Sequence, residues 1–122
     1  MGVGVPAVDL HVGAVPQHAQ KQGQLFLEQY PTVLLPVSAE QAMVQDQDVA
    51  SQESMRHVME IQWPMMALPL LGVPALAVPT GVADGLPAGV QWVGRRFDDR
   101  RLLKVGEVLE RAMGTFTPID PR

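Results

Sequence analysis

Four consecutive residues, Ala75-Leu76-Ala77-Val78, are apolar without a break. Side chains along a strand point alternately to its two faces. A strand with one wet face alternates apolar with polar residues, and this run does not. It reads as an interior strand covered from both sides. Such a strand needs a neighbour on each edge and a layer on each face. That requirement governs what the rest of the chain must supply.

The neighbours are few. Asp84-Gly85 marks a turn within Ala83 to Pro87. Ala88 to Gly94 follows as a second strand, with Val90, Trp92 and Gly94 on one face and Gly89, Gln91 and Val93 on the other. The short connection makes these two strands antiparallel neighbours. Val33-Leu34-Leu35, closed by Pro36, reads as a brief buried strand.

Helical patterns account for most of the remainder. Gln17 to Gln29 is rich in helix formers and ends before Tyr30-Pro31. Residues 37 to 50 are polar and read as a surface loop. Ser51 is the expected N-cap of a helix from about 52 to 62. Pro64 interrupts that helix, Met65 to Leu68 continue it after a kink, and Pro69 and Gly72 stop it. A last helix spans about 99 to 113, capped by Asp98 or Asp99 and stopped by Gly114. Its Leu102, Val105, Gly106, Leu109, Ala112 and Met113 keep helical spacing. Residues 1 to 16 mix glycine and proline with valine and alanine and read as an irregular N-terminal arm. The tail from Thr117 is extended by its prolines. The expected fold class is α/β, a partial mixed sheet of about three strands with flanking helices.

A chain of 122 residues supports one small core. Three helices barely cover three strands on both faces, and open apolar edges invite aggregation. The pattern therefore asks for more chain than it contains.

Composition narrows the chemistry. Nine Lys and Arg against thirteen Asp and Glu leave a net charge of −4, and the arginine pairs at 95–96 and 100–101 enclose Asp98 and Asp99. That is no sustained basic face, so no nucleic-acid footprint is expected. With no cysteine, disulfides, thiolate metal sites and a thiol nucleophile are excluded. The same composition fits a cytoplasmic protein. No apolar stretch is long enough to span a membrane, and the N-terminus lacks the pattern of a secretory signal. His11, His18 and His57 fit no zinc spacing. Asp46 and Asp48 lack the glycine and distant glutamate of a calcium loop. No metal and no cofactor is expected. Met55, Met59, Met65 and Met66 cluster with Trp63 and read as a core face in preference to a partner surface.

The ordered series from Leu70-Leu71-Gly72-Val73-Pro74 through Val78-Pro79-Thr80-Gly81, then Gly85-Leu86-Pro87-Ala88-Gly89-Val90-Gln91-Trp92-Val93-Gly94-Arg95-Arg96-Phe97-Asp98, resembles the late part of amidase-signature enzymes. Phe26 to Glu40, with Tyr30-Pro31 and Leu34-Leu35-Pro36, is similar to the family as well. The resemblance runs from about Gln24 to Arg122. It implies that residues 17 to 122 are a C-terminal segment of an amidase-like domain. It also implies a mixed sheet flanked by helices and hydrolysis of carboxylic amides. In that chemistry a serine nucleophile is served by a second serine and a lysine, all in an earlier part of the family's chain. Here the only serines are Ser38, Ser51 and Ser54, none in a glycine-rich setting, and the only lysines are Lys21 and Lys104. No catalytic residue is carried over.

Two functions follow as expectations. The first is the C-terminal fragment of an amidase, inactive alone, whose partner is the missing N-terminal portion. The second is a small non-catalytic module that self-associates or binds a partner.

Overall fold

The computed structural model describes residues 17–117. The expected arm at 1–16 and the tail beyond Thr117 lie outside the described residues. The elements in order are α1 (Gln17–Gln29), β1 (Thr32–Pro36), a single 3-10 turn (Gln47–Val49), α2 (Gln52–Ile61), α3 (Trp63–Leu71), β2 (Ala75–Ala83), β3 (Leu86–Gly94) and α4 (Asp99–Met113).

Local chemistry sets most of these boundaries. Ser51 Oγ accepts the Ser54 N–H at 3.0 Å and caps α2. Pro64 sits in the first turn of α3, where its missing N–H is no loss. The sequence assigns Pro69 to the stop of this helix, yet it lies within it. In so short a helix it forfeits one bond, and the left-handed Gly72 (φ 65°) makes the actual stop. Asp84 (φ 52°) and Gly85 (φ 79°) give β2 and β3 a two-residue turn with both central residues at positive φ. Turns of that kind match the twist of a hairpin.

The sheet has the order β1-β3-β2, and both pairings are antiparallel. The α/β class and the three strands are as the sequence reads, and among the described residues the pairing is antiparallel throughout. Thr80 is an extra residue in β2, between the pairs Pro79↔Gly89 and Gly81↔Ala88.

Two strand readings are corrected. Ala75 to Val78 does not lie inside the described sheet. It forms the first half of an edge strand, with Ala75 and Ala77 exposed. β3 takes the centre, because it alone pairs on both sides. β1 is not buried either: it forms the opposite edge, and Leu34 is 51% exposed.

The two faces of β3 are closed differently. α4 packs on the face that carries Leu76, Val78 and Gly94. A Cβ on Gly106 would lie 2.5 Å from Leu76 Cδ2, and one on Gly94 3.0 Å from Leu102 Cδ2. These glycines let helix and sheet approach closely. On the opposite face Gln91 and Val93 are each only 4% exposed. That face is left to α1–α3 and the loops, whose Leu27, Val58, Ile61, Pro64 and Leu68 are buried.

The methionine cluster is also corrected. Met55, Met59, Met65 and Met66 are exposed, and Trp63 is 58% exposed. Helices α2 and α3 turn Val58, Ile61, Pro64 and Leu68 inward instead. The clustering of the methionines with Trp63 marked an apolar face but not the cover for it. No described helix is long and apolar enough to cross a membrane.

The close seat of α4 gives a direct test. Gly106→Val is expected to destabilise the chain by about 1–3 kcal/mol through overpacking against Leu76, read as a lowered urea midpoint. Gly85, whose added Cβ would meet nothing within 4 Å, serves as a comparison site for backbone strain alone.

Candidate functional site

All three serines lie in the described region, and each hydroxyl is committed locally. Ser38 Oγ donates to the Ile61 carbonyl at 3.2 Å and accepts from the Glu40 N–H. Ser51 Oγ caps α2. Ser54 Oγ donates to the Gln47 carbonyl. Lys21 and Lys104 are exposed on α1 and α4, and among the described residues no hydrogen bond joins either one to a serine. A nucleophilic hydroxyl needs a base within hydrogen-bond reach, and these serines meet backbone instead.

The histidines and acidic pairs stand apart from one another. His57 Nε2 lies 3.2 Å from Glu40 Oε2, with both side chains about half exposed. His18 is exposed, and His11 lies outside the described residues. Asp46 and Asp48 are exposed on the loop, Asp46 in a left-handed conformation (φ 62°). Among the described residues no three His, Asp or Glu side chains converge on a metal position.

Asp98 does occupy the N-cap position of α4, but its side chain does not cap the helix. Its Oδ2 accepts from Arg101 at 2.7 Å and from Arg95 at 3.3 Å. The fork ties the end of β3 to the first turn of α4. Desolvation pushes the Asp98 carboxyl up, and the hydrogen bonds from Arg101 and Arg95 outweigh it. The net effect holds the group below its ordinary value.

Two features escaped the sequence reading. Gln91 is buried and donates from Nε2 to the Pro36 carbonyl at 2.8 Å, which locks β1 to β3 through a side chain. A lone glutamine in an apolar strand was the available signal, since a buried amide must find a partner. Trp92 Nε1 is buried and meets no acceptor among the described residues.

The concave surfaces are shallow. One, about 830 Å³, lies between the 37–44 loop and the start of β3, with Ser38, Glu40 and Ile61 in its wall. Two grooves flank α4. One, about 420 Å³, is lined by Trp92, Val105, Val108, Leu109 and Ala112, with Arg101 and Lys104 also in its lining. The other, about 330 Å³, runs along β2 from Leu76 to Pro79 beneath Leu103, Gly106 and Phe116, with Glu107 and Glu110 in its lining.

A family model described as Amidase matches residues 13–103. The match begins upstream of Gln24, where the resemblance first becomes legible. One glutamyl-tRNA(Gln) amidotransferase subunit, from Nitrobacter hamburgensis, is 56% identical over 50 residues, 40% of this chain and 10% of that protein. Its counterpart of the same name from Allorhizobium ampelinum is 34% identical over 97 residues, 78% of this chain and 19% of that protein. The crystal structure of the corresponding glutamyl-tRNA(Gln) amidotransferase subunit from Thermotoga maritima superimposes with a TM-score of 0.68 at 26% identity, covering 80% of this chain and 21% of that one. The chain thus spans between a tenth and about a fifth of the length of these relatives.

The Asp98 fork predicts a pH effect of definite sign. A carboxylate whose value is depressed on folding contributes stability above its unfolded value, near pH 4, and loses it as pH falls through the folded value. Asp98→Asn is therefore expected to lower the urea midpoint at neutral pH. It is also expected to flatten the loss of stability on acidification below about pH 4, read from midpoints across an acid pH series.

Proposed function

This chain belongs to the Amidase family, and from that premise we propose that it is the C-terminal segment of an amide-hydrolysing enzyme, inactive alone. Residues 17–122 are that segment in this reading. The nucleophilic serine, its second serine and the lysine come from chain that this segment docks against.

The observation that carries the reading is the commitment of every serine hydroxyl. Ser38 and Ser54 donate to backbone carbonyls, and Ser51 caps a helix. Acyl transfer also needs donors aimed at the developing oxyanion. The tight loops here, at Asp84-Gly85 and around Gly72, instead close a hairpin and end a helix. What the segment offers is a rigid support: a central strand clamped by Gln91 and by the Arg95–Asp98–Arg101 fork, and a helix seated on the sheet. The relatives are named as subunits of a glutamyl-tRNA(Gln) amidotransferase. That supports a carboxamide as the parent's substrate class and further protein partners in its assembly. We place the parent in the cytoplasm, in keeping with a chain that has no cysteine.

The exposed Met55, Met59, Met66 and Trp63 favour a second reading, a non-catalytic interaction module whose apolar face binds a partner. The two readings separate in one assay. The chain alone is expected to release no ammonia from glutamine or simple carboxamides above the buffer rate. Adding the part of the Allorhizobium ampelinum relative that it does not match, as a separate chain, is expected to restore release. Turnover by the chain alone contradicts the first reading. A stable, discrete homo-oligomer with no restoration favours the second.

A further inference from the structure

We propose that the N-terminal segment of this same chain, residues 1–16, covers the exposed apolar row of α2 and α3 through Val8, Leu10 and Val12, so that a partner for that face must first displace it. The inference goes beyond both readings above and depends on neither.

Met55 and Met59 lie four apart on α2, and Trp63, Met66 and Leu70 follow at spacings of three and four on α3. All five are exposed, while Val58, Ile61, Pro64 and Leu68 turn inward from the same helices. Gln62 carries the helical bonding across the junction. Its N–H donates to the Val58 carbonyl at 3.2 Å, and its own carbonyl accepts the Met66 N–H at 3.2 Å. The helical period therefore continues from α2 into α3, and the five side chains form one row about 22 Å long. No charged residue falls on that row.

The far end of the row is where residues 1–16 join the fold. Gln20 Nε2 donates to the Leu70 carbonyl at 3.2 Å, and a Cβ on Gly23 would lie 3.6 Å from Leu71 Cδ2. The start of α1 thus abuts Leu70, and the chain ahead of Gln17 sets out from beside the row. Residues 1–16 reach at most about 50 Å, more than twice its length. Asp9 is their one charged side chain at neutral pH. Val8, Leu10 and Val12 alternate with Asp9 and His11. An extended course turns those three apolar side chains to the row and both polar ones to water. The family match begins at residue 13, so this pattern lies ahead of what the chain shares with the family model.

Area and tethering favour this occupant over a second copy. A row about 22 Å long and about 10 Å wide offers roughly 200 Å², against about 800 Å² on each side of a stable interface. Two separate chains meeting there bury too little surface to offset the freedom they lose. A segment joined at Gln17 has surrendered most of that freedom already. Its effective concentration at the row is on the order of millimolar, so a small apolar contact suffices.

The test is oxidation of the full chain by dilute hydrogen peroxide, followed methionine by methionine with mass spectrometry. Peroxide transfers one oxygen atom to a thioether, giving the sulfoxide and water. Met113 on α4 is the reference, because its side chain is exposed to a similar extent as Met59 and Met66. In the native chain Met59 and Met66 are expected to react about tenfold more slowly than Met113, the factor for a cover in place about nine-tenths of the time. Leu10→Asp is expected to bring the three rates within about twofold of one another, and Leu10→Val to keep the gap. Equal rates in the native chain overturn the proposal, whatever the variants do. A gap that persists in Leu10→Asp overturns these residues as the cover. A gap that grows with chain concentration overturns the choice of occupant in favour of a second copy.

Discussion

Two glycines let α4 sit closer to the sheet than side chains on both surfaces would permit. Gly106 lies against Leu76 and Val78, and Gly94 lies under Leu102. With the helix seated there, Leu102 is 2% exposed, and Gly94 and Val78 are buried. The remaining organisation depends on this contact. It covers one face of β3, while the buried side chains of Gln91 and Val93 point to the other. It fixes the side on which α4 overhangs β2, and it brings Arg101 close enough to share Asp98 with Arg95. Close packing of this kind is intolerant of added volume. A helix held there by shape needs little help from its cap, which accords with an Asp98 side chain spent on arginines rather than on the helix N-terminus.

What could be read from the sequence follows from the range of each signal. Helix and strand identities came from local period and punctuation, and these hold: α1 ends before Tyr30-Pro31, Ser51 caps α2, and Asp84-Gly85 closes the hairpin. The family resemblance was legible too, because it lay in the order of residues from Leu70 to Asp98. Position within the sheet was not. Apolarity at Ala75 to Val78 says how much cover a strand needs, not whether 101 described residues supply it. The methionine face at 55–66 failed for the same reason. The residues turned inward are Val58, Ile61 and Pro64. Side-chain partnerships across the sheet, such as Gln91 with the Pro36 carbonyl, depend on register, and no local pattern reveals a register between strands 55 residues apart.

The polar interactions divide into those that build the platform and those that face outward. Gln91 is buried, and its bond to β1 replaces a hydration shell that it lost on folding. The Asp98 fork is only partly exposed and joins consecutive elements, so it orders the β3–α4 corner. Pairs such as Glu40–His57 and Glu107–Arg111 are exposed and add little to stability. Their value lies in where they place charge. On α4, Glu107 and Glu110 line the β2 groove, whereas Arg101 and Lys104 line the Trp92 groove with their apolar stems.

The two grooves beside α4 have a consequence for any larger assembly. Each groove has an apolar floor, so chain of many sequences could bury area in either one. Area alone would not decide which segment goes where, and a misplaced strand would slip along an edge as uniform as Ala75 to Val78. Prolines at 74 and 79 and the bulge at Thr80 limit register on β2 to a few residues. Shape holds α4 on the sheet, through Gly106 against Leu76 and Gly94 under Leu102.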